Sequence, residues 1–153
     1  MIQFQLNGKQ VSANVRPGTT LLDFLRDKGY FSVKYGSDKG ETGADTILVD
    51  GNMMNASLML IHTVSGKNIE TVESFAHGQD VHPLQDSFIE EGAIQCGYCT
   101  PGMVLAIESL AREKDNPNES DVKDVLAGVY CRCTGYVKPV KAAMNYLATG
   151  EPK

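Results

Sequence analysis

Four cysteines in two tight pairs constrain this chain more than any other feature. Cys96-Gly97-Tyr98-Cys99 and Cys131-Arg132-Cys133 both lie in the second half of 153 residues, and no other cysteine exists. Thiols clustered this way point to metal or redox chemistry before disulfides. Each pair falls between helical stretches. The first lies between a segment ending at Gly92 and a strong helix start at Thr100-Pro101, where Thr can accept a bond from the first turn and Pro loses no needed N–H. The second lies between a segment ended by Gly128 and a last helix near Val137 to Leu147. Two inter-helix loops facing each other would bring four thiolates to one place, with backbone N–H groups at the helix starts able to donate to the sulfurs. Gly97 would let the backbone approach closely, and Arg132 would offset negative charge.

The rest of the second half supports that placement. Leu84 and Phe88 share a face, Met103, Ile107 and Leu110 follow at helical spacing, and Ser120 is a candidate cap for a short helix bearing Val122, Val125 and Leu126. Val140, Met144 and Leu147 line one side of the last helix, with Pro139 tolerable only in its first turn. Four helices with short connections predict a bundle.

The first half has a different grammar. Ile2, Phe4 and Leu6 alternate with Gln3 and Gln5, reach Asn7-Gly8 and continue to Val15, a hairpin signal. Thr20 can cap a short helix carrying Leu21, Leu22, Phe24 and Leu25, with Gly29 as its stop. A glycine-rich loop from Gly36 to Gly43 leads to Thr46–Val49, the turn Asp50-Gly51 and Met53-Met54, with further short strands expected at Leu58 to Ile61 and Ile69 to Val72. The fold class predicted is α+β: a small mixed sheet crossed by a helix over residues 1–75, then a helical domain over 76–153.

Composition narrows the function classes. With 42% hydrophobic and 22% charged residues the chain can bury a proper core without staples. A formal net charge of -5 without a dense Lys/Arg cluster argues against nucleic acid as a partner. The opening Met1 to Gly8 lacks a secretory pattern and no stretch could span a bilayer, so the expectation is a cytoplasmic protein with no membrane partner. His62, His77 and His82 are scattered and read as exposed or structurally bonded, the methionines as core filler, and Glu90-Glu91 and Asp23 with Asp27 as solvated faces. No nucleophile–base pair suggests bond chemistry in this chain. Spacing alone leaves three options for the cysteines besides iron–sulfur: structural zinc, whose familiar form is two C-x2-C pairs, disulfides, or inert thiols.

Gln95-Cys96-Gly97-Tyr98-Cys99-Thr100-Pro101-Gly102-Met103 and Cys131-Arg132-Cys133-Thr134-Gly135-Tyr136 resemble the small iron–sulfur subunit of the molybdenum hydroxylases, the xanthine dehydrogenase and aldehyde oxidoreductase family. Leu21-Leu22-Asp23-Phe24-Leu25-Arg26, Val33-Lys34-Tyr35-Gly36 and Leu48-Val49-Asp50-Gly51 extend the likeness over almost the whole chain. The resemblance implies a β-grasp, ferredoxin-like lobe followed by a four-helix bundle, each normally with one [2Fe-2S] cluster. It implies an electron-transfer subunit that takes electrons from a molybdenum–pterin centre in a large subunit and passes them through the bundle cluster and the β-grasp cluster to FAD in a flavin subunit. It makes Cys96, Cys99, Cys131 and Cys133 the bundle ligands and Gln95 and Cys133 pterin contacts. The alternative from another class is a non-redox assembly subunit stabilised by zinc.

The pattern breaks in the first lobe. A plant-type cluster needs C-x4-C-x2-C and a distant fourth cysteine, and the matching positions read Ser37, Thr42, Asp45 and Ser57. Hydroxyls bind iron poorly unless ionised, so one [2Fe-2S] cluster is expected and the loop is expected to be empty, a scaffold. A hard cation held by Ser37, Asp38 and Asp45 is the competing reading. Losing a relay station implies either an acceptor docked elsewhere or a flavin subunit that communicates slowly or is absent.

Overall fold

A computed structural model describes residues 1–76, 78 and 80–149. The N-terminal half is a five-stranded sheet in the order β2-β1-β5-β3-β4, with β1 Ile2–Leu6, β2 Lys9–Ala13, β3 Thr46–Val49, β4 Asn52–Asn55 and β5 Asn68–Glu70. β1 pairs antiparallel with β2 and parallel with β5, while β3 pairs antiparallel with both β4 and β5. Helix α1, Leu21–Asp27, packs across this mixed sheet, and its Leu21, Leu22, Phe24 and Leu25 join Phe4, Leu6, Ile47 and Ile69 in one buried cluster. This is the β-grasp arrangement.

Local chemistry explains the elements. Asn7 and Gly8 at φ 49° and 75°, and Asp50 and Gly51 at 51° and 84°, make the two hairpin turns in the left-handed region that two-residue connections require. Thr20 accepts from the Asp23 N–H at 3.0 Å to start α1. Leu58 to Ile61 is not a strand. Residues 56–58 and 61–64 form single 3-10 turns, and Leu60 makes only an isolated bridge to Thr20, because the segment runs past the start of α1 and finds no strand edge to pair with. The last strand ends at Glu70, and Val72 begins another 3-10 turn.

The C-terminal half is a bundle of α2 Pro83–Glu90, α3 Thr100–Glu113, α4 Glu119–Leu126 and α5 Val137–Ala148. Two of the helix starts differ from the sequence expectation, and that of α2 had none. His82, through its ring, caps α2 together with Gln85. Cys99 rather than Thr100 is the residue ahead of α3, moving Thr100 and Pro101 inside its first turn. Asn118 rather than Ser120 caps α4, since its amide oxygen accepts from Asp121 N while the Asp121 carboxyl accepts from Asn118 N, a reciprocal pair that a hydroxyl at 120 has no geometry to make.

α3 is the spine of the molecule. It packs on β3 and β4 as well as on α4 and α5, and Leu48 of the sheet belongs to the bundle's buried cluster. The Ser109 hydroxyl donates to the Gly51 carbonyl and accepts from Met53 N, both at 3.1 Å. Arg112 forms ion pairs with Glu70 of β5 and with the fully buried Glu108, which also accepts from the Tyr146 hydroxyl at 2.8 Å. None of this polar network was visible in the sequence, where Glu108 looks like one more helix-surface acid.

Candidate metal centre

The cysteine loops meet beside the start of α3. Cys99 immediately precedes its first turn, where the helix dipole and free N–H groups favour negative charge. All four thiols are unbridged, Cys99 and Cys131 buried and Cys96 and Cys133 exposed. They pair across the two loops: Cys99 hydrogen-bonds with Cys131, and Cys96 with Cys133. The inner and outer pairs lie close enough to interact through charge.

The second loop is held by hydroxyls. The Tyr136 OH accepts from Cys131 N at 2.8 Å and donates to the Val129 carbonyl at 3.1 Å, clamping the backbone on both sides of Tyr130. Thr134 bonds Cys131 Sγ through its Oγ1 at 3.1 Å and through its N–H at 3.5 Å, and accepts from Tyr136 N. Tyr136 itself stands at φ 67°, the left-handed residue that turns the chain into α5. Thr134 and Tyr136 are the supporting residues that counting cysteines misses; the signal was their place directly after the second pair. Gly97 is needed for its φ of 81° rather than for space, since a Cβ there would meet nothing nearer than Ile94 at 3.8 Å. The Arg132 guanidinium donates to the Tyr130 hydroxyl at 2.9 Å.

The electrostatics differ between partners. Burial, the bond to Cys131 and repulsion from neighbouring thiols push Cys99 up to about 12. Burial also acts on Cys131, but bonds from the Thr134 hydroxyl and N–H, the Cys133 N–H and Cys99 outweigh it and bring this thiol down. The bond with Cys96 raises Cys133. Each thiol that ligates a metal here gives up its proton, and burial makes that most costly at Cys99.

Among the described residues no three His, Cys, Asp or Glu side chains surround one point as a single ion requires. Two inner and two outer thiols can supply two thiolates to each metal of a dinuclear group. Gln95 is exposed next to Cys96, which like Cys133 is exposed. His62 is exposed and His82 stacks on Phe75 at 4.5 Å, whereas His77 lies outside the described residues.

The [2Fe-2S] binding domain family matches residues 71–144, which contain all four cysteines. The nicotinate dehydrogenase small FeS subunit of Eubacterium barkeri is 40% identical, covering 95% of this chain and 92% of that protein. The xanthine dehydrogenase iron-sulfur-binding subunit of Escherichia coli O157:H7 is 38% identical, with 94% and 92% covered. This chain belongs to the small iron–sulfur subunits of the molybdenum hydroxylases. Quinoline 2-oxidoreductase from Pseudomonas putida 86 contains a chain of the same fold, with a TM-score of 0.92 and 38% identity over 97% of this chain and 93% of that one. The aldehyde oxidoreductase of Desulfovibrio desulfuricans ATCC 27774 gives 0.91 and 35%, here aligned with only 17% of a far longer chain.

A member of this iron–sulfur subunit family carries a β-grasp lobe before the bundle, and in this chain that lobe offers no thiols at Ser37, Thr42, Asp45 and Ser57. The donor set does not fit a second iron–sulfur cluster. No helix among the described residues is long and apolar enough to cross a membrane.

Proposed function

We propose that this chain relays electrons in a molybdenum hydroxylase complex through one [2Fe-2S] cluster ligated by Cys96, Cys99, Cys131 and Cys133. The observation that carries the ligand assignment is the pairing of thiols across the two loops, Cys99 with Cys131 and Cys96 with Cys133. When bound, the cluster supplies a one-electron carrier. The chain's own residues orient and insulate it. Thr134 and Tyr136 hold the Cys131 loop, the α3 N-terminus favours thiolate charge, and burial of Cys99 and Cys131 excludes water from the inner pair.

The outer pair faces outward together with Gln95, and we assign that side to the large molybdenum–pterin subunit, with Gln95 and Cys133 as the pterin contacts. The redox partner on the other side is a flavin subunit or another acceptor protein. Residues 1–75 and 76–153 act as two domains, one for assembly and one for the cluster, in a complex working in the cytoplasm. Substrate chemistry belongs to the partner, as the relatives named for nicotinate, xanthine and quinoline suggest. A zinc-stabilised assembly subunit is disfavoured by the family.

The test is visible absorption and EPR of the dithionite-reduced protein. The expected result is a coloured protein with one S = 1/2 signal that Cys131→Ser abolishes. A colourless chain containing zinc would overturn the reading.

A further inference from the structure

We propose that the β-grasp lobe holds no metal at all and that the buried carboxyl of Asp45 does the mechanical work a second cluster would do, tying the 36–45 loop to residues 55–57. The proposal rests on the one-cluster reading above and says what stands in place of the missing relay. The plant-type spacing sets four positions, 37, 42, 45 and 57, on two chain segments that four metal–sulfur bonds would lash together. The side chains at 37, 42 and 45 have been turned to another use.

Ser37 Oγ donates to Glu41 Oε2 at 2.8 Å and accepts from Lys39 N at 3.0 Å, so it closes a local turn at the surface. Thr42 Oγ1 accepts from Ala44 N at 3.3 Å and lies against Gly36 so tightly that a Cβ there would come within 2.2 Å of it. Asp45 is fully buried. One carboxyl oxygen accepts from Ser57 N at 2.6 Å, the other from Asn55 Nδ2 at 3.4 Å, and its backbone carbonyl accepts from Ala56 N at 3.2 Å. Asn55 Nδ2 also reaches the Gly40 carbonyl at 3.2 Å, so this one side chain closes the loop's far end. The carboxyl is thus occupied by N–H donors, which is the opposite of what a cation site presents.

Ser57 supplies the second observation. Its hydroxyl is the buried side-chain polar atom that lacks a partner among the described residues. Such an atom calls for an explanation, and its position at the fourth place of the ligand pattern provides one: the side chain sits where a thiolate would bond iron and makes no bond. The outward side of the loop is committed to the bundle. Tyr130 N donates to the Thr42 carbonyl at 2.7 Å, and a Cβ on Gly43 would fall 2.0 Å from the Gly128 carbonyl oxygen. The loop is a strut between the lobes, and electrons leaving the bundle cluster do not pass through it.

The experiment is elemental analysis for all metals, labile sulfide, EPR and the thermal midpoint, on the full-length holoprotein and on Asp45→Ala and Ser57→Ala. The native chain is expected to hold two irons, two sulfides and no other metal. Asp45→Ala should keep both irons and the EPR signal yet lose about 5 °C of thermal midpoint, because Ser57 N is left buried without an acceptor. Ser57→Ala should keep the irons and match or exceed the native midpoint, since it deletes an unpaired buried hydroxyl; this variant decides the matter if Asp45→Ala does not fold. Four irons, a second EPR signal, or any metal that leaves with either substitution would overturn the proposal. A chain with no iron, but with these two stability effects intact, would overturn the function proposed above while leaving the loop assignment standing.

Discussion

Tyr136 does more for the metal centre than its distance in sequence from Cys131 suggests, because one hydroxyl holds both Cys131 N and the Val129 carbonyl. Tyr136→Phe leaves two part-buried backbone groups without that partner, and a loss of about 1–2 kcal/mol is expected in denaturant unfolding. The same substitution should shift the cluster's midpoint potential in a redox titration, since bonds around the ligand loop tune it. Glu73 gives a pH prediction. Burial would raise its pKa, but bonds from the Ser32 hydroxyl and N–H and from Thr71 outweigh it, leaving it below the ordinary value of 4.5. A lowered folded-state pKa means that the unfolded chain takes up the proton first. The stability from this group is therefore present in full above the ordinary carboxylate range and lost as pH falls through the lowered value. Glu73→Gln should flatten the acid limb of a stability–pH curve and leave its slope near neutrality unchanged.

At the scale of elements, helix starts carry the loops. The reciprocal Asn118 and Asp121 pair begins α4, whose Val122 and Leu126 are buried in the bundle. Asn118→Ala should cost about 1 kcal/mol in thermal or denaturant unfolding, with iron content unchanged because Cys131 and Cys133 follow the other end of that helix and Cys96 and Cys99 precede α3. The same logic separates caps from ligands at α3. Cys99 occupies the cap position yet makes no side-chain cap bond, which leaves its sulfur available for the ligand role proposed above. The residues a sequence reader would choose as caps, Thr100 and Ser120, are one turn position or more inside their helices.

For the whole molecule, the junction of sheet and bundle is polar at one edge and tightly packed at another. Arg112 links Glu70 of β5 to the buried Glu108 of its own helix. Removing it leaves the buried Glu108 carboxyl with the Tyr146 hydroxyl but no cation, and Arg112→Ala should destabilise by about 2 kcal/mol, read as a lowered unfolding midpoint. At the other edge, Gly43 stands at φ 63° against the Gly128 carbonyl. Gly43→Ala adds a Cβ to backbone that cannot move aside, at a cost of about 1–3 kcal/mol from overpacking alone, and limited proteolysis should then detect the lobes separating before either melts.

The sequence by itself determined the hairpins at Asn7-Gly8 and Asp50-Gly51, the stop at Gly29, the helical second half and the two cysteine loops, because turn residues, apolar period and thiol spacing are local codes written where they act. It also determined that the first lobe lacks sulfur ligands. Only the tertiary structure decided that residues 58–61 form no strand, since pairing needs an edge that the chain must find elsewhere. It alone joined Cys99 to Cys131 and Cys96 to Cys133, buried Glu108 beside Tyr146 and turned Asp45 toward Ser57. Each of those contacts joins residues at least a dozen positions apart, and which distant side chains meet is set by how helices and sheet pack rather than by any pattern within one segment.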